Sequence, residues 1–117
     1  MLNNLICIFA KKQIMDLSQN EWISQLENDK NAVITDVRTP DEWNDGHIEN
    51  AINIDIYKGQ GFIYLLEELD KEKNYFVYCL AGGRSTQACN IMNQLGFKNT
   101  FNLIGGMMEW QGETVTD

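Results

Sequence analysis

Apolar residues fall in short runs along the chain, and their spacing switches between two periods. "NAVITDV" (31–37), "AINI" (51–54), "YFVY" (75–78) and "TFNLI" (100–104) are compact runs rich in β-branched and aromatic residues, as buried strands are. "KKQIM" (11–15) is a weaker candidate for a first strand. Between these runs apolar residues recur at helical spacing. Trp22, Ile23 and Leu26 form one stripe, Phe62, Leu65, Leu66 and Leu69 a second, and Ala88, Ile91, Met92 and Leu95 a third. Ser18 and Glu21 read as a capping box at the start of the first helix. Thr39-Pro40-Asp41-Glu42 reads as another, with proline at the first helical position. Gly46 stops that short helix, Gly59 and Gly61 break the chain before the next, and Gly96 ends the helix that begins at Ser85. "MMEW" (107–110) predicts a short closing helix.

Strands that alternate with helices through short loops predict an α/β fold, with parallel pairing and helices on both faces of the sheet. Sites in such sheets lie beyond the carboxyl ends of the strands. Three segments fall there: 36–39, 79–84 and 104–106.

Composition narrows the function. A chain of 117 residues, 44% hydrophobic and 22% charged, is a single globular domain. We expect residues 1–11 to be an N-terminal extension and residues 12–117 the domain. The net charge of −8 argues against nucleic acid and against an anionic membrane surface. Any help for an anionic substrate must therefore be local. The early apolar run "LICIFA" (5–10) is too short to span a membrane and lacks the basic flank and cleavage site of a signal peptide. Cys7, Cys79 and Cys89 are an odd set with no CxxC pair, and there is one histidine, so neither a disulfide framework nor a zinc site is expected. Free thiols fit a reducing, cytoplasmic location.

The richest chemistry lies in "YFVYCLAGGRS" (75–85). Cys79 ends a strand, and a helix begins within six residues. The turn between must be sharp, and Gly82 and Gly83 permit positive φ. Such a loop aims backbone N–H groups inward as an anion-binding nest, and the helix N-terminus adds partial positive charge. A cysteine held there is expected to be a thiolate, the nucleophilic form. Arg84 offers a cation for an oxyanion donor or leaving group. The bland alternative is a buried, inert cysteine beside a structural turn.

The surroundings favour the first reading. "CLAGGRS" (79–85) resembles the C-x-x-G-x-R-S active-site loop of the rhodanese family of sulfurtransferases. "DVRTPDEWNDGHIENAINI" (36–54) is similar to that family's upstream signature, and "NLIGGMMEW" (102–110) to its closing L-x-G-G-x-x-x-W. The resemblance runs from about residue 17 to 110. It implies a rhodanese-like central parallel sheet of about five strands and a cysteine that carries sulfane sulfur as a persulfide. The donor would be a small anion such as thiosulfate, and the acceptor a thiol, cyanide or a protein. Cys79 would be the nucleophile, Leu80, Ala81, Gly82, Gly83 and Arg84 the substrate cradle, and Asp36, Arg38 and Ser85 its supports. No metal or organic cofactor is implied.

Other residues are assigned packing roles. A structural pair with Asp36 or Glu42 is the favoured reading of Arg38, over help for a substrate anion. His47, in "GHI", matches a structural position of the family. Cys89 sits where a small buried residue packs. Trp43 and Trp110 are read as packing, and Gly105 and Gly106 as permitting close backbone approach. A phosphatase of the same fold needs five residues between cysteine and arginine. Here there are four, Leu80 to Gly83. An interaction module of this fold commonly lacks the cysteine, and a thiol redox protein would favour a CxxC pair.

Overall fold

The computed structural model describes residues 14–116. The extension expected over residues 1–11, with Cys7, lies outside the described residues.

Five strands form one parallel sheet: β1 (Met15–Leu17), β2 (Ala32–Asp36), β3 (Ile52–Asn53), β4 (Asn74–Tyr78) and β5 (Asn99–Leu103), in the order β1-β5-β4-β2-β3. The helices are α1 (Gln19–Glu27), α2 (Pro40–Asn44), α3 (Gln60–Glu67), α4 (Gly83–Gln94) and α5 (Gly106–Glu109), with a 3-10 turn at Ile56–Lys58.

The side-chain alternation of β4 builds both halves of the core. Tyr75, Val77 and Cys79 face Phe62 and Leu66 of α3 and Ala88, Cys89 and Met92 of α4. Phe76 and Tyr78 face the other way, into Trp22 of α1, Ile34, Ile48 and Leu103. Trp22 meets Phe76, Tyr78 and Trp110 edge to face, with ring centroids 5.8–6.3 Å apart. A strand buried on both faces has no polar alternation, which is why "YFVY" reads as a continuous apolar run. Each large side chain so buried contributes about 1.5–3 kcal/mol.

Both capping boxes form. Ser18 and Glu21 exchange bonds at the start of α1, and Thr39 and Glu42 at the start of α2, where Pro40 takes the first position. Of the expected strand "KKQIM", residues 11–13 lie outside the described residues, and β1 includes Met15. Leu17 is its buried residue and sits opposite Leu103. The sheet therefore selects residues 15–17, and Ser18 ends the strand by capping α1. In α3 the core-facing pair is Phe62 and Leu66, four residues apart, whereas Leu65 is 42% exposed.

His47 is buried. Its ring stacks on Trp43 at 3.4 Å, and its backbone pairs with Val115 in both directions, at 2.9 and 2.8 Å. This arrangement ties the C-terminal segment to the end of α2, and the histidine acts there as packing.

Candidate active site

β4 is the middle strand, and the chain reaches its neighbours on either side only through crossovers. Cys79 follows its last residue, at the carboxyl end. All three segments expected beyond the strand ends converge here. Val37 N–H donates to the Tyr78 carbonyl at 3.1 Å. From the other side Met107 N–H donates to the Cys79 carbonyl at 2.9 Å, and Met108 N–H to the Leu80 carbonyl at 2.8 Å. With those two carbonyls engaged by α5, the loop's amides are left to turn toward the sulfur.

Gly106 makes that approach possible. Its φ is +54°, and a Cβ on it would lie 2.4 Å from the Cys79 carbonyl oxygen and 2.6 Å from that of Leu80. Gly82 takes the other special conformation, φ +114°, as the N-cap of α4. Gly83 differs from expectation. It is the first residue of α4, its φ is not positive, and open space surrounds it. Only one of the two loop glycines is therefore required by backbone geometry.

Cys79 is 1% exposed, and amides of the loop turn toward its sulfur. Gly82 N–H donates to Cys79 Sγ at 3.0 Å, and the thiol in turn donates to the Ser85 hydroxyl oxygen at 3.4 Å. Burial pushes the thiol up, but the Ser85 hydroxyl and the N–H groups of Ser85, Gly82 and Ala81 outweigh it, and the pKa falls below that of an ordinary thiol. The loop is braced from below. Ser85 and Thr86 hydroxyls donate to the Gly82 carbonyl at 3.1 and 2.8 Å. Asn102 of β5 donates to Thr86 Oγ1 at 3.1 Å and to Asp16 of β1 at 2.9 Å. A chain of polar contacts thus runs from the sheet edge to the peptide that holds the sulfur.

The strongest support for the lowered pKa among the side chains is Ser85, which gives a direct test. Ser85→Ala should raise the Cys79 pKa. The reactive thiolate then appears only at higher pH, so the acidic limb of the rate of Cys79 alkylation by iodoacetamide moves upward in pH. An unmoved limb would leave the backbone amides as the whole cause.

Cys89 contrasts sharply. It is fully buried in the α4 face, and burial pushes its thiol up to about 12. Asp36 and Arg38 form a buried two-point ion pair, with Arg38 Nη2 to Asp36 Oδ2 at 2.7 Å and Nε to Oδ1 at 3.0 Å. Arg38 also donates to the Gly46 carbonyl at 2.7 Å and lies over the Tyr78 ring. These bonds join the end of β2 to the end of α2, which makes the pair a scaffold for the site.

Arg84 departs from the sequence reading. It lies in the first turn of α4, with its side chain 17% exposed, and forms a two-point pair with Glu42 at 2.7 and 2.9 Å. Tyr57 covers the guanidinium at 5.5 Å. Sequence reasoning missed both partners. Glu42 already had a role in its capping box, and nothing in the residue order marks Tyr57 as a neighbour of the loop. Thr86 and Asn102 were missed as well, though a second hydroxyl directly after Ser85 was a signal.

Among the described residues no group of three or more His, Cys, Asp or Glu side chains is placed to hold a metal ion, and no helix is long and apolar enough to cross a membrane.

A parallel five-stranded sheet with a cysteine held at the end of its middle strand is the arrangement that the sequence led us to expect, and comparison with known proteins decides which family it belongs to. Residues 19–113 match the rhodanese-like domain, and the chain belongs to that family. The thiosulfate sulfurtransferase GlpE of Coxiella burnetii is 34% identical over 105 residues, covering 90% of this chain and 92% of that protein. A tRNA uridine(34) hydroxylase of Yersinia enterocolitica is 36% identical over 94 residues, but these make up only 27% of its length. The crystal structure of a rhodanese-related protein from Thermoplasma volcanium superposes with a TM-score of 0.73 at 28% identity, covering 88% of this chain and 99% of that one. Family membership and the sulfurtransferase relatives together support a rhodanese-type sulfurtransferase.

Proposed function

We propose that this protein moves sulfane sulfur through a persulfide on Cys79. The Cys79 thiolate attacks the outer sulfur of a donor such as thiosulfate, the S–S bond breaks, and sulfite leaves. The persulfide then passes its terminal sulfur to a thiol, to cyanide or to a protein acceptor. The observation that carries this reading is the setting of the sulfur: Gly82 N–H donates to it at 3.0 Å in a loop that lowers the thiol pKa, and the Ser85 hydroxyl, 3.4 Å away, is in reach to turn its hydrogen to a thiolate. The same donors stabilise a terminal persulfide sulfur, which is also an anion. The name of the GlpE relative supports thiosulfate as one donor. Leu80 to Arg84 form the substrate cradle in this reading, supported by Ser85 and by the Asp36–Arg38 pair, and the free thiols of Cys79 and Cys89 suit the cytoplasm. Four residues between Cys79 and Arg84 favour a sulfur atom over the phosphoryl group of a phosphatase.

The test is intact-mass spectrometry after incubation with thiosulfate. One sulfur atom should add, it should map to Cys79, and cyanide should remove it as thiocyanate. Addition elsewhere, or none with any sulfane donor, would overturn the reading.

A further inference from the structure

Arg84 is the cation of the Cys79 loop, and its fork is already occupied. Both terminal nitrogens donate to Glu42, at 2.7 and 2.9 Å. The carboxylate is fixed in turn, because Thr39 N–H and the Thr39 hydroxyl each bond its Oε1 at 3.0 Å. The Arg84 bond, opposed by burial and helped by Thr39, holds the Glu42 carboxyl at about 2, so the pair stays ionised through neutral pH. Tyr57 closes one face of the guanidinium. Apolar side chains stand nearby: Tyr57 is 67% exposed, Leu80 40%, and Met108, whose amide bonds the Leu80 carbonyl, 71%.

We infer that Glu42 is a specificity-determining residue: by neutralising Arg84 it makes the Cys79 site select alkyl persulfides over the thiosulfate dianion. This inference rests on the sulfurtransferase reading above. The two donors ask different things of the site. With thiosulfate, Cys79–S⁻ attacks the outer sulfur and sulfite departs carrying two negative charges, which call for a free cation. With an alkyl persulfide, Cys79–S⁻ attacks the terminal sulfur of R–S–SH, the S–S bond breaks, and the departing R–S⁻ takes the proton of the new Cys79–S–SH, leaving the anionic Cys79–S–S⁻. That step needs N–H donors at the transferred sulfur and an apolar wall for R. The loop amides supply the first, and the exposed apolar side chains around the loop are candidates for the second: Leu80 next to Cys79, Met108, whose amide bonds the Leu80 carbonyl, and Tyr57, which lies over Arg84. Lys58, which follows Tyr57 and is exposed, is the other cation of this segment.

Glu42→Gln isolates the charge, because glutamine also completes a capping box and so preserves the start of α2. Sulfur loading of Cys79 is measured with thiosulfate and with 2-hydroxyethyl persulfide, each rate divided by that of free cysteine with the same donor. The parent should favour the persulfide on this scale. E42Q should shift the ratio of kcat/KM toward thiosulfate by about tenfold, mainly through KM, as an added ground-state contact does. Its thiosulfate KM should also become salt-dependent. The double variant E42Q/R84M should lose the gain. A folded E42Q with an unchanged ratio would overturn the inference, as would a gain that survives in E42Q/R84M and so comes from Lys58. A parent that favours thiosulfate would overturn it without any variant. If neither donor adds sulfur to Cys79, the sulfurtransferase reading itself falls; if both add sulfur and the ratio does not move, only the selectivity assignment does.

Discussion

Cys79→Ser should remove sulfur transfer altogether, a loss of at least about 10⁴-fold, since nothing else in the described site offers an activated nucleophile. Serine can accept the Gly82 N–H that now meets the sulfur, so the fold should survive with a stability change of about 1 kcal/mol. Cys89→Ala is the paired measurement. That thiol is fully buried and held near 12, so only on the order of one molecule in 10⁵ carries it ionised at neutral pH. Sulfur loading in C89A, followed by intact mass and by thiocyanate release, should stay within a few-fold of the parent once the cavity cost to stability is taken into account. A C89A variant that loads Cys79 but cannot discharge it would show instead that the second thiol takes part.

Gly106→Ala should be the most damaging substitution of a single small residue. The new Cβ would sit 2.4 Å from the Cys79 carbonyl oxygen, and the φ of +54° is one that alanine adopts only at a cost of about 1–2 kcal/mol. The clash is with backbone, so no side chain can swing aside. Relief requires α5 to withdraw, which breaks the bonds from Met107 and Met108 to the loop carbonyls. A total loss of roughly 3 kcal/mol or more follows, lowering the melting temperature by on the order of 10 °C. Gly83→Ala is the control. That glycine has open space around it and a helical position, so alanine there should leave the melt unchanged or raise it slightly. Equal melts for the two variants would mean that the loop does not depend on its contact with α5.

The fold was legible because its strongest signals are local. Two capping boxes fix the starts of α1 and α2 within the residues that form them, and the apolar run of β4 is long enough to show burial on both faces. The first strand was only faintly legible because a three-residue edge strand is chosen by its partner β5, which lies far along the chain. The cysteine and its glycine turn were legible for the same local reason. Arg84 was not. Its partner Glu42 lies 42 residues earlier, on another helix, and that carboxylate already satisfied a local rule. A side chain that serves two structures at once shows only the nearer one in the residue order. Asn102 is a further case: on a strand it reads as an ordinary polar interruption, and only the sheet register places it beneath Thr86.

The bracing of the Cys79 loop by segments far apart in the chain also bears on when the protein is chemically dangerous. The loop is held by Asn102 through Thr86 and by Met107 and Met108, and its nearest neighbours from the other side follow β2. Contacts of such long sequence separation form late in folding and are lost together. A nascent, unfolded or proteolysed chain therefore carries an ordinary thiol, mostly protonated at neutral pH, with no amides to hold a second sulfur. In the proposed function, reactivity toward sulfane sulfur is therefore a property of the completed sheet. On the same reading, molecules that lose the fold would stop accepting sulfur, and a persulfide they still carried would pass its outer sulfur to the first solvent thiol that attacks it, with the Cys79 thiolate as leaving group.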